Sequence, residues 1–316
     1  MVDKVAVIGG GLIGRAWAIS YARAGHAVAL HDAAPGAADA ALGFIDSVLA
    51  DLDRNGLLGG HTPAAVRGRI GVAASLADAL RGAVHVQENT PERLDTKIEV
   101  FRELDLLAEP DAVLASSTSA LLPSSFTETL PGRHRCVVVH PINPPYLVPA
   151  VEVVPAPWTD PAIMLRVGAF MRAAGHAPIM MHKEIDGFVM NRLQGAVLQE
   201  AFRLVAEGYA SIADVDIGIR DGLGLRWSFM GPFETIDLNA PAGIADYIAR
   251  YEGLYKTLWR TQSHIVPWGG DLSERIEAER RQELAPTELP DRARWRDRRL
   301  MALLAHKRDA DEKLGS

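Results

Sequence analysis

The chain contains very little cysteine and no long hydrophobic run. Only one of its 316 residues is a cysteine, so no disulfide can form within the chain and a reducing cytoplasm is the expected location. That residue, Cys136, lies in an apolar run and is expected to be a buried strand residue rather than a catalytic thiol. No uninterrupted apolar segment approaches the roughly 20 residues that a membrane-spanning helix needs. The first apolar segment contains four glycines and is followed by Arg15, unlike a signal peptide.

An excess of positive charge and a metal-ligand pattern are also missing. The formal net charge is -7, which argues against general binding to nucleic acid or to anionic membranes. The ten histidines show no ligand-like spacing with acids or with the cysteine, so no metal is expected. A chain of this length can bury a large core and is expected to form two domains. These features favour a globular protein that acts on a small molecule.

A glycine-rich motif stands near the start of the chain. An apolar strand pattern leads into Gly9-x-Gly11-x-x-Gly14, which opens an Ala-rich helical stretch at Leu12 and Ile13. In dinucleotide-binding folds the first glycine permits a tight turn, and the second lets a pyrophosphate approach the backbone. The third lets helix and strand pack closely. The helix N-terminus then offers unpaired N–H groups to the phosphates, so this segment predicts the pyrophosphate site.

Asp32 follows the glycine motif at the expected distance. It ends a second apolar run, eighteen positions after Gly14, where a carboxylate can accept hydrogen bonds from both ribose hydroxyls of an adenosine. The combined strand, helix, strand and acid favour dinucleotide binding over a purely structural glycine turn. A 2′-phosphate beside Asp32 would be repelled, and no Arg or Lys follows within the next several residues. The predicted cofactor is therefore NAD rather than NADP.

The first half of the chain alternates between strand and helix patterns, which is typical of a parallel, doubly wound sheet. Strands are predicted at Lys4–Ile8, Ala27–His31, Ile70–Ala73, Val84–Gln87, Ala112–Ser116, Cys136–Val139 and Ala177–Met181. Helices are predicted at Leu12–Arg23, Ala37–Leu52, Pro91–Leu107 and from Asp160 to about Ala174. We therefore predict an α/β protein with a Rossmann-type NAD-binding domain over residues 1–184.

The pattern becomes helical after about residue 185. A long helix is predicted over Gly187–Glu207, and Ser211-x-x-Asp214 is a capping box that begins the next helix, which is expected to run to Gly222 or Gly224. The charged tail Asp291–Arg308 carries an apolar stripe and predicts one amphipathic helix. We expect an all-α substrate and dimerisation domain over residues 185–316.

Four polar residues are conspicuous in otherwise apolar patterns. Ser119 falls just past a strand end, the usual ligand edge of an open α/β sheet, although Ser-rich sequence also suits a turn or cap. His140 ends an apolar strand, where a structural histidine is the alternative. Glu152 interrupts a β-branched run, where burial of its carboxylate costs free energy unless the carboxylate is paired. If the segments 137–140 and 151–154 flank a reversal of the chain, Glu152 can accept a hydrogen bond from one ring nitrogen of His140. That bond would raise the basicity of the other ring nitrogen. Asn191 lies on the long helix and is uninformative by itself.

Several motifs together resemble the 3-hydroxyacyl-CoA dehydrogenase family, in order and spacing, over nearly the whole chain. They are Gly9–Gly14 with Asp32, Ser116-Ser-Thr-Ser119, His140-Pro-Ile-Asn-Pro144, Val151-Glu-Val153, Gly187-Phe-Val-Met-Asn-Arg-Leu193 and Gly231-Pro-Phe-Glu234. Within that family the chain most resembles the λ-crystallin / L-gulonate 3-dehydrogenase branch, including the tail Arg294-Trp-Arg-Asp297.

This resemblance implies a role for each conspicuous residue. His140 is expected to be the general base that removes the proton of the substrate hydroxyl, and Glu152 is expected to orient it and stabilise the imidazolium. Ser119 and Asn191 are expected to hydrogen-bond the reacting oxygen. The resemblance further implies cofactor contacts by Glu88 and Lys97, in addition to those of the glycine motif and Asp32. It also implies a homodimer formed through the helical domain, in agreement with the frequency of twofold symmetry.

The segment Ala37–Gly60 bears on the substrate. Acyl-CoA members of the family present a basic helical hairpin at this place to the CoA phosphates. Here the segment has one base, Arg54, and four acids, namely Asp39, Asp46, Asp51 and Asp53. Such a surface should repel a ligand with several negative charges. The bases His61, Arg67 and Arg69 follow this segment and weaken the electrostatic argument against CoA binding.

Arg226 gives a second reason to expect a free acid. It lies in Gly222-Leu-Gly-Leu-Arg-Trp-Ser-Phe-Met-Gly231, and a guanidinium can bind a carboxylate through a bidentate fork. A surface or interdomain salt bridge is the alternative. We expect a small free 3-hydroxy acid, with L-gulonate as the leading candidate. L-3-hydroxybutyryl-CoA and L-carnitine remain alternatives, since Trp227 suits a quaternary ammonium. A non-catalytic, crystallin-like structural protein is the alternative outside the enzymes.

Overall fold

Residues 3–315, which this computed structural model describes, contain one eight-stranded sheet with the strand order β3-β2-β1-β4-β5-β6-β7-β8. The strands are β1 Lys4–Ile8, β2 Ala27–His31, β3 Ile70–Val72, β4 Ala83–Glu88, β5 Val113–Ser116, β6 Cys136–Pro141, β7 Ala150–Pro155 and β8 Ala177–Met180. All neighbours pair in parallel except β6 and β7, which are antiparallel. The doubly wound α/β fold is thus confirmed, and the antiparallel pair is the departure from a fully parallel sheet.

Helices cover both faces of this sheet because successive side chains of a strand point to opposite sides. Val5 and Val7 of β1 belong to one buried apolar cluster, and Ala6 and Ile8 belong to another. The helices along this part of the chain are α1 Leu12–Arg23, α2 Ala37–Arg54, α3 Pro63–Arg67, α4 Leu76–Leu80, α5 Leu94–Leu107, α6 Pro123–Thr127 and α7 Pro161–Ala173, with a 3-10 turn at Arg133–Arg135. The helix expected from Pro91 begins at Leu94 instead, because Arg93 has an extended backbone.

The remaining chain is helical, as expected. Its helices are α8 Met190–Ala206, α9 Ile212–Ile217, α10 Gly224–Trp227, α11 Pro232–Asp237, α12 Ile244–Gln262, α13 Asp271–Glu283 and α14 Leu289–Leu314, with a 3-10 turn at Pro286–Glu288. The capping box of Ser211 and Asp214 is confirmed, since each side chain bonds the backbone N–H of the other. The α9 helix ends at Ile217, and a π-helical segment, Gly218–Leu223, follows where the sequence predicts a continued α-helix.

Most of the C-terminal helix, from Trp295 onward, belongs to the same compact unit as the sheet. Contacts separate Arg192–Arg294 from a unit formed by the residues before and after that segment. Met301 of α14 is buried in the apolar cluster that includes α1 and α2, and Arg308 donates to the carbonyl of Gly56 at 2.8 Å. The domain limits expected from the sequence, 1–184 and 185–316, differ from this division. The difference arises because the apolar stripe of α14 packs on the sheet unit.

Neither a membrane span nor a metal-binding cluster is found among residues 3–315. No described helix combines the length and the apolar character needed to cross a membrane. The same residues contain no group of three or more His, Cys, Asp or Glu side chains arranged to hold a metal ion.

Candidate active site

The glycine motif forms a turn between β1 and α1 that only glycine can occupy at two positions. Gly9 has a φ of +92°, and an added Cβ there would lie 2.8 Å from the carbonyl oxygen of Asn89. A Cβ at Gly14 would lie 1.7 Å from the carbonyl oxygen of Gly9. A Cβ at Gly11 would meet no atom within 4 Å, so the backbone is open on that side. The turn therefore has the tight bend, close packing and open approach that a pyrophosphate site needs.

Asp32 lies beside this turn at the end of β2. Its Oδ2 accepts from the backbone N–H of Gly10 at 2.6 Å, and its Oδ1 accepts from that of Ala34 at 2.8 Å. A carboxylate has about four lone-pair sites, so two remain for ribose hydroxyls. The loop and Asp32 together fit the adenosine and pyrophosphate parts of NAD, which Gly11, Leu12 and Ile13 would hold through their N–H groups.

His140 and Glu152 face each other across the antiparallel pair β6 and β7. They are direct register partners, and Nδ1 of His140 lies 2.5 Å from Oε2 of Glu152. The His140 side chain is buried except for a small exposed fraction, and Glu152 is completely buried. Because the carboxylate accepts the Nδ1 proton, the neutral ring has its free lone pair on Nε2. The pair can therefore accept a proton at Nε2 and stabilise the resulting imidazolium.

The second oxygen of Glu152 bonds the start of α8. Its Oε1 accepts from the backbone N–H of Val189 at 2.6 Å and from that of Met190 at 2.7 Å. The first N–H groups of a helix lack partners within the helix and attract negative charge. The carboxylate is thus held by three donors, which compensates the cost of burying it.

Ser119 and Asn191 come together above the sheet edge, although they are far apart in sequence. The Asn191 Nδ2 donates to the backbone carbonyl of Ser119 at 2.7 Å. Ser119 follows β5 and is exposed, whereas Asn191 is in the first turn of α8 and half-buried. Since Glu152 bonds the start of that helix, the structure links Asn191 to the His140–Glu152 pair. That Ser119 and Asn191 act with His140 and Glu152 on one substrate stays a prediction.

Glu88 and Lys97 are buried and bond each other. The Lys97 Nζ lies 2.8 and 2.9 Å from the two carboxylate oxygens of Glu88 and donates to the carbonyl of Thr90 at 3.0 Å. Glu88 also accepts from the hydroxyl of Ser116 at 2.7 Å. Their polar atoms are fully used in holding the loops at the ends of β4 and β5. Contact between these two residues and the cofactor stays a prediction.

Glu92 is a site residue that the sequence reasoning missed. Its Oε1 accepts from the hydroxyl of Thr118 at 2.5 Å and from the backbone N–H groups of Ser119 and Ala120 at 2.9 and 3.0 Å. Lys97 lies 3.9 Å from its other oxygen. Glu92 therefore fixes the loop that carries Ser119. The available signal was an acid next to a proline in a loop that follows a parallel strand.

Asn143 was also missed. It precedes a cis proline, Pro144, in the loop after His140, and its Oδ1 is buried without a hydrogen-bond partner. A buried acceptor is costly unless it is satisfied. The carboxamide N–H₂ of a nicotinamide is a donor of the kind that would satisfy this acceptor.

Arg226 and Cys136 differ sharply in their surroundings. Arg226 is exposed on the short helix α10, and its nearest hydrogen-bond partner is the Asn239 Oδ1 at 3.5 Å, which leaves the guanidinium largely available. Its binding of a carboxylate stays a prediction. Cys136 is a fully buried residue of β6, and burial raises the pKa of its thiol to about 12. Such a thiol is uncharged near neutral pH and unsuited to nucleophilic catalysis.

The acidic segment after β2 is partly neutralised within the chain. Asp46 lies 2.9 Å from Nε of Arg67, and Asp51 pairs with both Arg54 and Arg298. Arg298 belongs to α14, so its proximity was not visible in the local sequence. The local charge is therefore less negative than the count of acids indicated, and this weakens the electrostatic argument against CoA.

The fold, the dinucleotide turn and the His–Glu pair define an NAD-dependent dehydrogenase that acts on a CH–OH group, and comparison with known proteins agrees. Residues 4–185 match the profile of the 3-hydroxyacyl-CoA dehydrogenase NAD binding domain, and residues 187–269 match that of the C-terminal domain. The chain therefore belongs to the 3-hydroxyacyl-CoA dehydrogenase family.

Individual relatives span nearly the whole chain. λ-Crystallin of Oryctolagus cuniculus is 41% identical over 307 residues, which cover 96% of each chain. An L-carnitine dehydrogenase of Pseudomonas sp is 35% identical over 308 residues, covering 96% of this chain and 93% of the relative. Among solved structures, the NAD+-dependent 5-formyl-3-hydroxy-2-methylpyridine 4-carboxylic acid 5-dehydrogenase superposes with a TM-score of 0.83 at 26% identity, covering 96% of this chain and 97% of the other.

Proposed function

We propose that the protein oxidises the 3-hydroxyl of a small free 3-hydroxy acid with NAD, and that L-gulonate, converted to 3-dehydro-L-gulonate, is its leading substrate. The observation that carries the chemistry is the 2.5 Å contact between His140 and Glu152, with Asn191 bonded to the Ser119 loop beside it. This arrangement provides a general base, its orienting carboxylate and polar groups for the reacting oxygen.

In the proposed reaction, Nε2 of His140 removes the proton of the 3-hydroxyl while the C3 hydrogen leaves as hydride. Bound NAD supplies the hydride acceptor at its nicotinamide ring. Glu152 keeps the Nδ1 proton on the opposite side of the ring and stabilises the imidazolium. Ser119 and Asn191 hold the oxygen as the carbonyl forms. Asn143 would accept from the nicotinamide carboxamide and orient the ring.

Three features support a free acid over an acyl-CoA. Arg226 offers an exposed guanidinium with only a 3.5 Å partner, and the segment after β2 keeps several acids. Among the relatives, the L-carnitine dehydrogenase and the pyridine carboxylic acid dehydrogenase bear the names of carboxylate substrates. L-Gulonate is preferred because of the resemblance to its branch of the family. L-Carnitine is the competing free acid, supported by 35% identity to a dehydrogenase of that name.

The deciding experiment measures NADH formation with L-gulonate, L-carnitine and L-3-hydroxybutyryl-CoA, each with NAD and with NADP. We expect the highest kcat/KM with L-gulonate and NAD. A higher kcat/KM with L-carnitine would contradict L-gulonate as the leading substrate but agree with a free 3-hydroxy acid. Preference for the CoA thioester would overturn the free-acid proposal and the suggested function of Arg226. NAD binding without any turnover would favour the crystallin-like structural alternative.

We also propose that the protein is a cytoplasmic homodimer formed through Arg192–Arg294. Helices α9, α10, α12 and α13 contain no buried residue, and large apolar side chains such as Phe233 and Trp259 are mostly exposed. Exposed apolar area of this extent is typical of an interface rather than of a monomer surface. The single buried thiol, Cys136, is compatible with a reducing compartment.

Light scattering of the purified protein tests the dimer. We expect twice the mass of the chain for the wild type, and a shift toward the single-chain mass for Trp259→Glu, which places a charge in the proposed interface. Arg260→Glu, on the same helix, is the control for an added acid. A wild type that remains a monomer at micromolar concentration would contradict the dimer and leave the catalytic proposal untouched.

A further inference from the structure

Phe188 has an unusual backbone conformation. Its φ is +50°, and within residues 3–315 it is the one residue other than glycine with a positive φ. Side chains with a Cβ rarely adopt this left-handed region, and strained residues tend to persist at functional sites where the surroundings hold them. Gly187, immediately before it, has a φ of +75°. Two consecutive left-handed residues therefore precede the first helical residue of α8.

The strained turn directs two backbone donors at one carboxylate oxygen. The N–H groups of Val189 and Met190, the two residues after Phe188, lie 2.6 and 2.7 Å from Oε1 of Glu152. Successive N–H groups that follow a left-handed turn form an anion-binding nest. Here the bound anion is the carboxylate whose other oxygen bonds Nδ1 of His140. The turn thus sets the position of Glu152 from the side opposite to the histidine.

The Phe188 side chain anchors this turn. Its ring is fully buried in the apolar cluster that includes Val138 and Val154, neighbours of the site on β6 and β7. The ring centroid lies 5.7 Å from that of His140 at an interplanar angle of 55°, which is a tilted aromatic contact. Phe188 therefore touches the base directly with its ring and touches Glu152 indirectly through the backbone that follows it.

We infer that Phe188 is a positioning residue for the reaction. Its buried ring holds the left-handed turn, the turn holds the Glu152 carboxylate, and the carboxylate fixes the His140 ring with Nε2 toward the substrate. The same turn sets Asn191, three residues further on, whose amide bonds the Ser119 carbonyl. One strained residue thereby positions both the base and the groups that hold the reacting oxygen. This inference rests on the catalytic assignment of His140 and Glu152 proposed above.

The test compares Phe188→Leu with Phe101→Leu, a matched change at another fully buried phenylalanine of the same apolar cluster. The substrate is whichever of L-gulonate, L-carnitine and L-3-hydroxybutyryl-CoA the wild type oxidises fastest. We expect Phe188→Leu to lower kcat at least tenfold with the KM for NAD within twofold of wild type. Phe101→Leu should lose similar thermal stability and keep kcat within twofold. Equal kcat losses in both variants would overturn the inference. Phe188→Met replaces Phe188→Leu if the latter does not fold.

A double-mutant cycle with Glu152→Gln separates positioning from general damage to the fold. Because Phe188 acts chiefly through Glu152, Phe188→Leu should lower kcat by a clearly smaller factor in the Glu152→Gln background than in the wild type. Losses that multiply would show that Phe188 acts independently of Glu152 and would overturn the inference. A Glu152→Gln or His140→Gln variant with wild-type kcat would instead refute the proposed catalytic assignment, so the two failures are distinguishable.

Discussion

Nδ1 of His140 lies 2.5 Å from Oε2 of Glu152, and the two residues are direct partners in the antiparallel register of β6 and β7. The contact is buried, and Glu152 receives two further backbone donors from the start of α8. A carboxylate held in this way bonds only one nitrogen of the imidazole, Nδ1. The other nitrogen, Nε2, is left as the acceptor, and this geometry underlies the predictions about turnover.

Replacing His140 with glutamine should remove the general base and leave the cofactor site intact. General base catalysis contributes about 100- to 10,000-fold, so kcat should fall by at least about 100-fold. The Kd for NAD, measured by fluorescence titration, should stay within twofold. His182→Gln, at an exposed histidine, is the control and should keep wild-type kcat. Equal losses of turnover and NAD affinity would argue against the assignment of the base.

Replacing Asp32 with asparagine should weaken the preference for NAD over NADP. The substitution keeps an oxygen for the N–H groups of Gly10 or Ala34 but removes the charge beside the ribose. Hydrogen bonds to charged groups contribute about 1.5–3 kcal/mol, so the ratio of kcat/KM for the two cofactors should change about 10- to 100-fold. Steady-state kinetics with both cofactors measure this ratio. Asp39→Asn, on the exposed side of α2, should leave it unchanged.

Replacing Arg226 with glutamine should raise the KM for free acids if the guanidinium binds their carboxylate. Loss of a charge-assisted, bidentate bond is expected to raise the KM for L-gulonate by about 10- to 100-fold, with lysine restoring only part of the affinity. The KM for L-3-hydroxybutyryl-CoA, which has no free carboxylate on its acyl group, should change little. Arg220→Gln, at a neighbouring exposed arginine, is the control. An unchanged KM for L-gulonate would remove Arg226 from the substrate site.

Replacing Lys97 with methionine should destabilise the folded protein. The substitution leaves the buried carboxylate of Glu88 without its cation, and breaking a buried ion pair costs about 3–5 kcal/mol. Urea unfolding followed by circular dichroism measures the loss in the free energy of unfolding. The double variant Glu88→Gln/Lys97→Met removes both charges and should recover part of it. If the single variant is as stable as wild type, the pair does not hold the loops as described.

His85 should make the stability of the protein fall in mild acid. Burial lowers the pKa of His85 from 6.5 to about 4 in the folded protein, because the charged ring would lose its hydration. The unfolded chain therefore binds a proton between pH 6.5 and about 4 that the folded chain does not. Stability is retained above pH 6.5 and is lost as the pH falls through this window, by up to about 1.4 kcal/mol per pH unit.

His85→Gln tests this assignment by removing one titrating group. The slope of the free energy of unfolding against pH should decrease between pH 6.5 and 4. A residual slope should remain, because burial also lowers the pKa of His176 to about 4. His134→Gln, at an exposed histidine, is the control and should keep the wild-type slope. An unchanged slope in His85→Gln would mean that other groups account for the acid sensitivity.

Local sequence was most informative where one short segment contains the whole signal. The strands Lys4–Ile8 and Ala27–His31 and the helix Leu12–Arg23 have the predicted limits, because apolar runs and glycines define them without help from distant residues. Glu152 could be recognised as a buried acid in need of a partner for a similar reason. Its pairing with His140 could be anticipated because a single short reversal joins the two strands.

Features that depend on distant segments were less visible. Glu92 could not be linked to the loop of Ser119, because β4 and β5 become neighbours only in the sheet. The return of α14 to the sheet unit has the same origin, since an apolar stripe does not specify which surface it covers. The positive φ of Phe188 has no signal in its residue type, which ordinarily avoids that conformation.

By itself, the sequence determined the class of the protein: the order of strands and helices, the glycine turn with its acid, and the four polar residues of the site. These follow from local periodicity and from residue types that have few other uses in such positions. Only the tertiary structure decided how the residues act together. In the folded protein Glu152 bonds both His140 and the backbone at the start of α8, and Phe188 beside this contact has a left-handed backbone. Such contacts require elements far apart in sequence to pack at fixed distances, and packing is a property of the whole fold.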